Sequence, residues 1–85
     1  MPFNELKFEP FNDGIIARFT FPNQRGVNVI QTPNSYGGRE GFYELAVLDA
    51  DGRFDYSTPV TDNVEGWLAP EEVTELMATV AALPA

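Results

Sequence analysis

Apolar and polar residues alternate in short runs as far as Ser57, and the spacing changes to a helical period after Pro70. Asn12-Asp13-Gly14 separates an opening segment, Leu6 to Phe11, from a run rich in β-branched and aromatic residues, Ile15 to Phe21, which predicts a β-hairpin. After the turn cluster Pro22 to Gly26, Val27-Asn28-Val29-Ile30-Gln31 alternates with period two and predicts a third strand. A long loop, Thr32 to Gly41, contains Gly37, Gly38 and Gly41, and Phe42 to Leu48 follows as the most apolar strand. Asp49-Ala50-Asp51-Gly52 then predicts a hairpin onto Arg53 to Ser57. Val73, Leu76, Met77, Val80 and Leu83 fall at i, i+3, i+4, i+7 and i+10, one stripe of a helix that starts at Pro70. Ala69 before it has no side-chain oxygen with which to cap a first-turn N–H.

The strands read as apolar on both sides. Tyr43, Leu45 and Val47 share one face of their strand, and Phe42, Glu44, Ala46 and Leu48 share the other. Ile15, Ala17, Phe19 and Phe21 alternate with Ile16, Arg18 and Thr20. One helix cannot cover two faces, so the second side calls for a loop, the N-terminal segment or a second subunit. The expected fold is α+β, an antiparallel sheet of four to five strands with one C-terminal helix packed on one face. It forms a single domain over residues 1–85: strand-rich 1–57, loop 58–69 and helix 70–83.

Composition changes the picture mainly through charge. The 85 residues are 44% hydrophobic, with seven Phe, three Tyr and one Trp, enough for a modest core. The net charge is −8, and it is unevenly placed. From Phe54 onward come Asp55, Asp62, Glu65, Glu71, Glu72 and Glu75 without one Lys, Arg or His. Such a single-sign field favours a basic partner and repels nucleic acid and anionic membranes. Absence of cysteine removes disulfides and thiolate metal sites and makes the cytoplasm the expected compartment. No apolar run behind a basic N-terminal segment suggests export, and no window approaches a membrane span.

Candidate chemistry is sparse. Asp49 to Asp55 spaces hard oxygen ligands closely, but a calcium loop wants glycine sixth and glutamate twelfth, whereas here Gly52 is fourth and Val60 twelfth. A hairpin turn accounts for the same residues. The Ser35 to Gly41 loop, with Arg39, could cradle an anion, yet it runs into a strand rather than a helix N-terminus. It reads first as a long connection with glycines at strained positions and second as a partner-binding loop led by Tyr36. Glu44 with Asp55 or Glu65 is the best pair for carboxylate hydrolysis, without a sugar-sized cleft to serve it. Trp67 reads either as a side chain packed over the first helical turn or as an aromatic anchor in an acidic rim. No catalytic residue, metal site or cofactor is expected.

Ser35-Tyr36-Gly37-Gly38, Gly41-Phe42-Tyr43-Glu44-Leu45-Ala46-Val47-Leu48, Thr58-Pro59 through Gly66-Trp67-Leu68 and Glu71-Glu72-Val73 together resemble small proteins encoded in tailed-phage genomes and prophages. The likeness covers roughly the C-terminal half, and Ala69 departs from the Ser or Thr such sequences place ahead of the helix. The resemblance implies a phage origin, in the host cytoplasm. Acidic phage proteins include inhibitors of host defence, which present carboxylates where nucleic-acid phosphates would bind. The expected function is therefore non-catalytic: an acidic phage protein that binds and inhibits a basic, nucleic-acid-binding defence complex of the host, of the CRISPR or restriction type. Its expected contacts are Asp55, Asp62, Glu65, Glu71, Glu72 and Glu75, with Tyr36 or Trp67 as anchor. The alternative is a homodimeric phage accessory or structural protein with no inhibitory role.

Overall fold

The structure is a computed structural model that describes residues 1–60 and 64–84, so Asp62 lies outside the described residues. Five strands form one antiparallel sheet in chain order: β1 (Glu9–Phe11), β2 (Gly14–Thr20), β3 (Gly26–Gln31), β4 (Tyr43–Leu48) and β5 (Glu65–Leu68). A twelve-residue helix, α1 (Pro70–Ala81), follows. The α+β expectation holds, with the fifth strand in a different place. Arg53 to Ser57 contributes one isolated bridge, Leu48 to Phe54, while the segment read as a loop supplies β5.

Local chemistry explains the turns. Asn12 and Asp13 both take positive φ (45° and 62°), the geometry of a two-residue hairpin loop whose twist matches the flanking strands. Asp49 Oδ1 accepts the N–H groups of Asp51 and Arg53, so this carboxylate is spent on its own turn. Between β3 and β4 a single 3-10 turn, Gly38–Glu40, is bracketed by left-handed Gly37 and Gly41.

Register sets which side chains meet. Ala17 lies opposite Val29, Val29 opposite Leu45, Val27 opposite Val47, and Tyr43 opposite Leu68, so these share one face. Onto that face α1 lays Val73, Met77 and Val80, each with no exposed surface. Burying side chains of this size contributes about 1.5–3 kcal/mol apiece. Leu6 joins the same core, and Phe3, Phe8 and Tyr43 form a ring cluster at its border, with centroids 4.8–5.7 Å apart. The N-terminal segment therefore flanks the helix instead of covering the second face. That second face carries Ile30, Glu44 and Ala46, and Phe54 and Val64 only partly enclose it.

Both ends of α1 are tied by polar groups to segments outside the strands. At the N-terminal end Glu72 Oε1 accepts the Ala69 N–H at 2.9 Å, the half of a capping box that does not need a side-chain oxygen on Ala69. The Thr74 hydroxyl accepts the Phe3 N–H at 2.9 Å. At the other end Asn23, in the β2–β3 turn, donates its amide to the Val80 and Leu83 carbonyls at 2.8 and 2.9 Å. Arg25 donates to the Pro84 carbonyl at 2.7 Å, bringing a cation to the negative end of the dipole.

Candidate functional site

The loop between β3 and β4 folds down onto β5, and this contact builds the most prominent surface feature. The Trp67 N–H donates to the Tyr36 carbonyl at 3.1 Å, and the Tyr36 N–H donates to Glu44 Oε1 at 3.0 Å. Tyr36 and Trp67, far apart in sequence, become backbone neighbours. Their side chains stay out, 60% and 59% exposed, more than any other large apolar side chain described. Glycines make the approach possible. A Cβ on Gly37, which sits at φ 82°, would lie 3.0 Å from the Trp67 Cα, and one on Gly66 would collide with the Tyr36 side chain. Each aromatic-glycine step thus makes room for the other.

Trp67 itself has φ 56°, in the left-handed region. That conformation costs an L-residue about 1–2 kcal/mol, and bulky side chains rarely occupy it. The backbone bond to Tyr36 and the Phe42 ring, tilted against the indole at 5.8 Å, hold it there. Strain retained to present a large exposed ring is characteristic of recognition sites. A crevice of about 210 Å³ beside the indole is lined by Pro33, Arg39 and Glu40 among others. Arg39 donates its Nε to the Pro33 carbonyl at 3.0 Å, which pins the guanidinium to its own loop.

The structure separates the carboxylates that composition grouped together. Asp55 pairs with Arg25 at 2.9 Å and accepts from the Ser57 hydroxyl and N–H. The Ser57 hydroxyl, the Arg25 guanidinium and the Ser57 N–H together pull its pKa from 3.8 down to about 2. Through Arg25 it sits at the C-terminal end of α1, whereas Glu71 and Glu72 occupy the first turn. Twelve residues of helix put about 18 Å between those ends. Glu72 is engaged with Ala69, and Glu71 and Glu75 are exposed. Glu65, half-buried in β5, stands two residues before Trp67. Around the aromatic pair the acidic groups are therefore Glu40, Glu44 and Glu65, of which charge counting singled out only Glu65.

Of the two readings of Trp67, burial over the helix is not the one observed. The sequence did hold a signal for the pairing, the matched steps Tyr36-Gly37 and Gly66-Trp67. Of the carboxylates weighed for hydrolysis, Glu44 is bonded to the Tyr36 N–H, Asp55 is held by Arg25, and Glu65 lies across the sheet from Leu45, the neighbour of Glu44. Among the described residues no group of three or more acidic side chains is placed to hold a metal ion, and no helix is long and apolar enough to cross a membrane. No protein-family model, curated protein or solved structure matches the chain.

Proposed function

We propose that the chain is a non-catalytic binding protein that docks on a basic surface of a nucleic-acid-binding partner and competes with the nucleic acid for it. The observation that carries this reading is the exposure of Tyr36 and Trp67 side by side, the latter on a left-handed backbone, on a protein of net charge −8. Exposed aromatic anchors supply most of the energy at protein interfaces, and a strong acidic field accelerates encounter with a basic target. Glu40, Glu44 and Glu65 provide the local charge, with Glu71 and Glu75 adding to the field from the helix. A phage inhibitor of a host defence complex is the setting that best unites these properties.

The test is capture from a bacterial lysate on immobilised wild-type protein. The expected partner is basic, is released by salt and is displaced by duplex DNA, and it is lost with Trp67→Ala or Tyr36→Ala. A partner that is neutral, salt-resistant or indifferent to both substitutions overturns the proposal. A second reading, a homodimer through the open sheet face, has in its favour Phe11, Phe54 and Tyr56, exposed by 38%, 47% and 47%. A monomeric mass at micromolar concentration excludes it.

A further inference from the structure

The second face of the sheet holds a groove of about 340 Å³, at the small end of ligand sites and suited to one side chain rather than a whole cofactor. Its floor and sides include Ile30, Ala46 and Val64, with Phe11 and Phe54 as partly exposed aromatic walls. Among its described lining residues Glu44 is the one charged side chain. Glu44 Oε1 is engaged by the Tyr36 N–H, and its second oxygen accepts from no described group. Much of the neutral polar lining is committed elsewhere. Thr32 and Ser35 bond to each other's backbone, and Asn28 turns its amide oxygen to Arg18 Nε at 3.0 Å. Arg18 itself reaches Asn28 from a neighbouring cleft that it lines with Lys7, Glu9 and Ile16.

We propose that this groove is a receptor for an arginine side chain of the partner protein, with Glu44 as its counter-charge. Charge selects the class: one carboxylate whose second oxygen accepts from no described group, with no cation among the described lining residues, rejects anions and attracts a cation. Shape and polarity select arginine over lysine. A planar, weakly hydrated guanidinium stacks on exposed aromatic rings, and its apolar stem suits an aliphatic floor, whereas an ammonium keeps its water. The groove is continuous with the aromatic pair, because Ser35 lines both the groove and the crevice beside Trp67, and Glu44 fixes the Tyr36 backbone. This assignment rests on the reading of the partner as a basic protein.

Amide chemical shifts of the full chain, titrated with N-acetyl-arginine methylamide, provide the test. Saturable shifts are expected at Ile30, Glu44, Ala46 and Phe54, with a dissociation constant in the millimolar range, as for an isolated side chain. The citrulline derivative, neutral but of the same shape, should bind at least about tenfold more weakly, and so should arginine to Glu44→Gln. The amide introduced by Glu44→Gln retains an oxygen to accept the Tyr36 N–H, and Phe54→Ala, which removes an exposed wall, serves as a second weakened variant. Trp67→Ala should leave the titration unchanged, so the groove is judged separately from partner capture through the aromatic pair. Equal binding of the citrulline or lysine derivative, insensitivity to both groove substitutions, or no saturable response overturns the assignment. So do groove shifts that change with protein concentration alone, which would give the site to a second copy of the chain.

Discussion

On the helix side of the sheet Val27, Val29, Leu45 and Val47 are completely buried, and three residues of α1 are sealed onto them. On the opposite side Ala46 and Asn28, neighbours across β3 and β4, are nearly as inaccessible at 4% and 7%, yet they floor a groove. Burial alone does not distinguish the two. What differs is side-chain volume and cover: branched residues interlock with a helix on one side, while a small alanine and an amide leave a hollow rimmed by aromatic rings on the other. The sealed face thus rests on branched aliphatic residues, with Phe21 beside them, whereas the open face is walled by Phe11 and Phe54.

Substitutions that probe the two sides should separate them by size of effect. Met77→Ala opens a cavity in the sealed face and is expected to cost about 2–5 kcal/mol, lowering the Tm by more than about 10 °C. Ile30→Ala on the open face should cost about 1 kcal/mol or less, because its cavity joins solvent. Equal losses in thermal denaturation would erase the distinction. Gly37→Ala, at φ 82° and against Phe42 and Trp67, is expected to cost about 1–2 kcal/mol and to alter the environment of the indole, visible in its fluorescence. Asn23→Ala takes the amide away from the Val80 and Leu83 carbonyls, the first of which keeps the Leu83 N–H, at about 1 kcal/mol, and frays the end of α1 in hydrogen exchange.

The smallest effect concerns Asp55. Its pKa is lower in the folded chain, so its stabilisation is fully present above the ordinary value of 3.8 and is lost as pH falls through about 2. Asp55→Asn should therefore be less stable than wild type at neutral pH, with the gap closing between about pH 4 and 2. The gap stays small, because Ser57, which supplies two of the bonds to Asp55, is exposed and water replaces those bonds in the unfolded chain. A gap that persists at pH 2 would mean the ionised carboxylate is not its source.

Much of the scaffold was legible in the sequence because it depends on periodicity. The strand alternation gave β2, β3 and β4 to within a residue at each end, and the helical stripe gave α1 with Pro70 at its start. The fifth strand was misplaced for a physical reason. Arg53 to Ser57 has strand-like residues, but Asp55 and Ser57 are held by Arg25 and by their own turn, whereas Glu65 to Leu68 is too short to show a period. Composition found the two anchors, Tyr36 and Trp67, without finding that they meet. Their contact depends on Gly37 and Gly66 at a long sequence separation, where no local pattern reaches. Charge counting likewise could not distinguish Asp55 and Glu72, occupied inside the fold, from Glu44, whose second oxygen has no described donor.

The hydrogen bond from Trp67 to Tyr36 also has a bearing on self-association. It occupies an N–H of β5, a strand at the border of the sheet, so that this group is not offered to an incoming strand. At the opposite border β1 is three residues long and has Pro10, which lacks an N–H, at its centre. With both margins of the sheet blunted, strand addition and cross-β aggregation are disfavoured even where the chain is abundant. A partner must then be recognised through side chains, not by lending a strand.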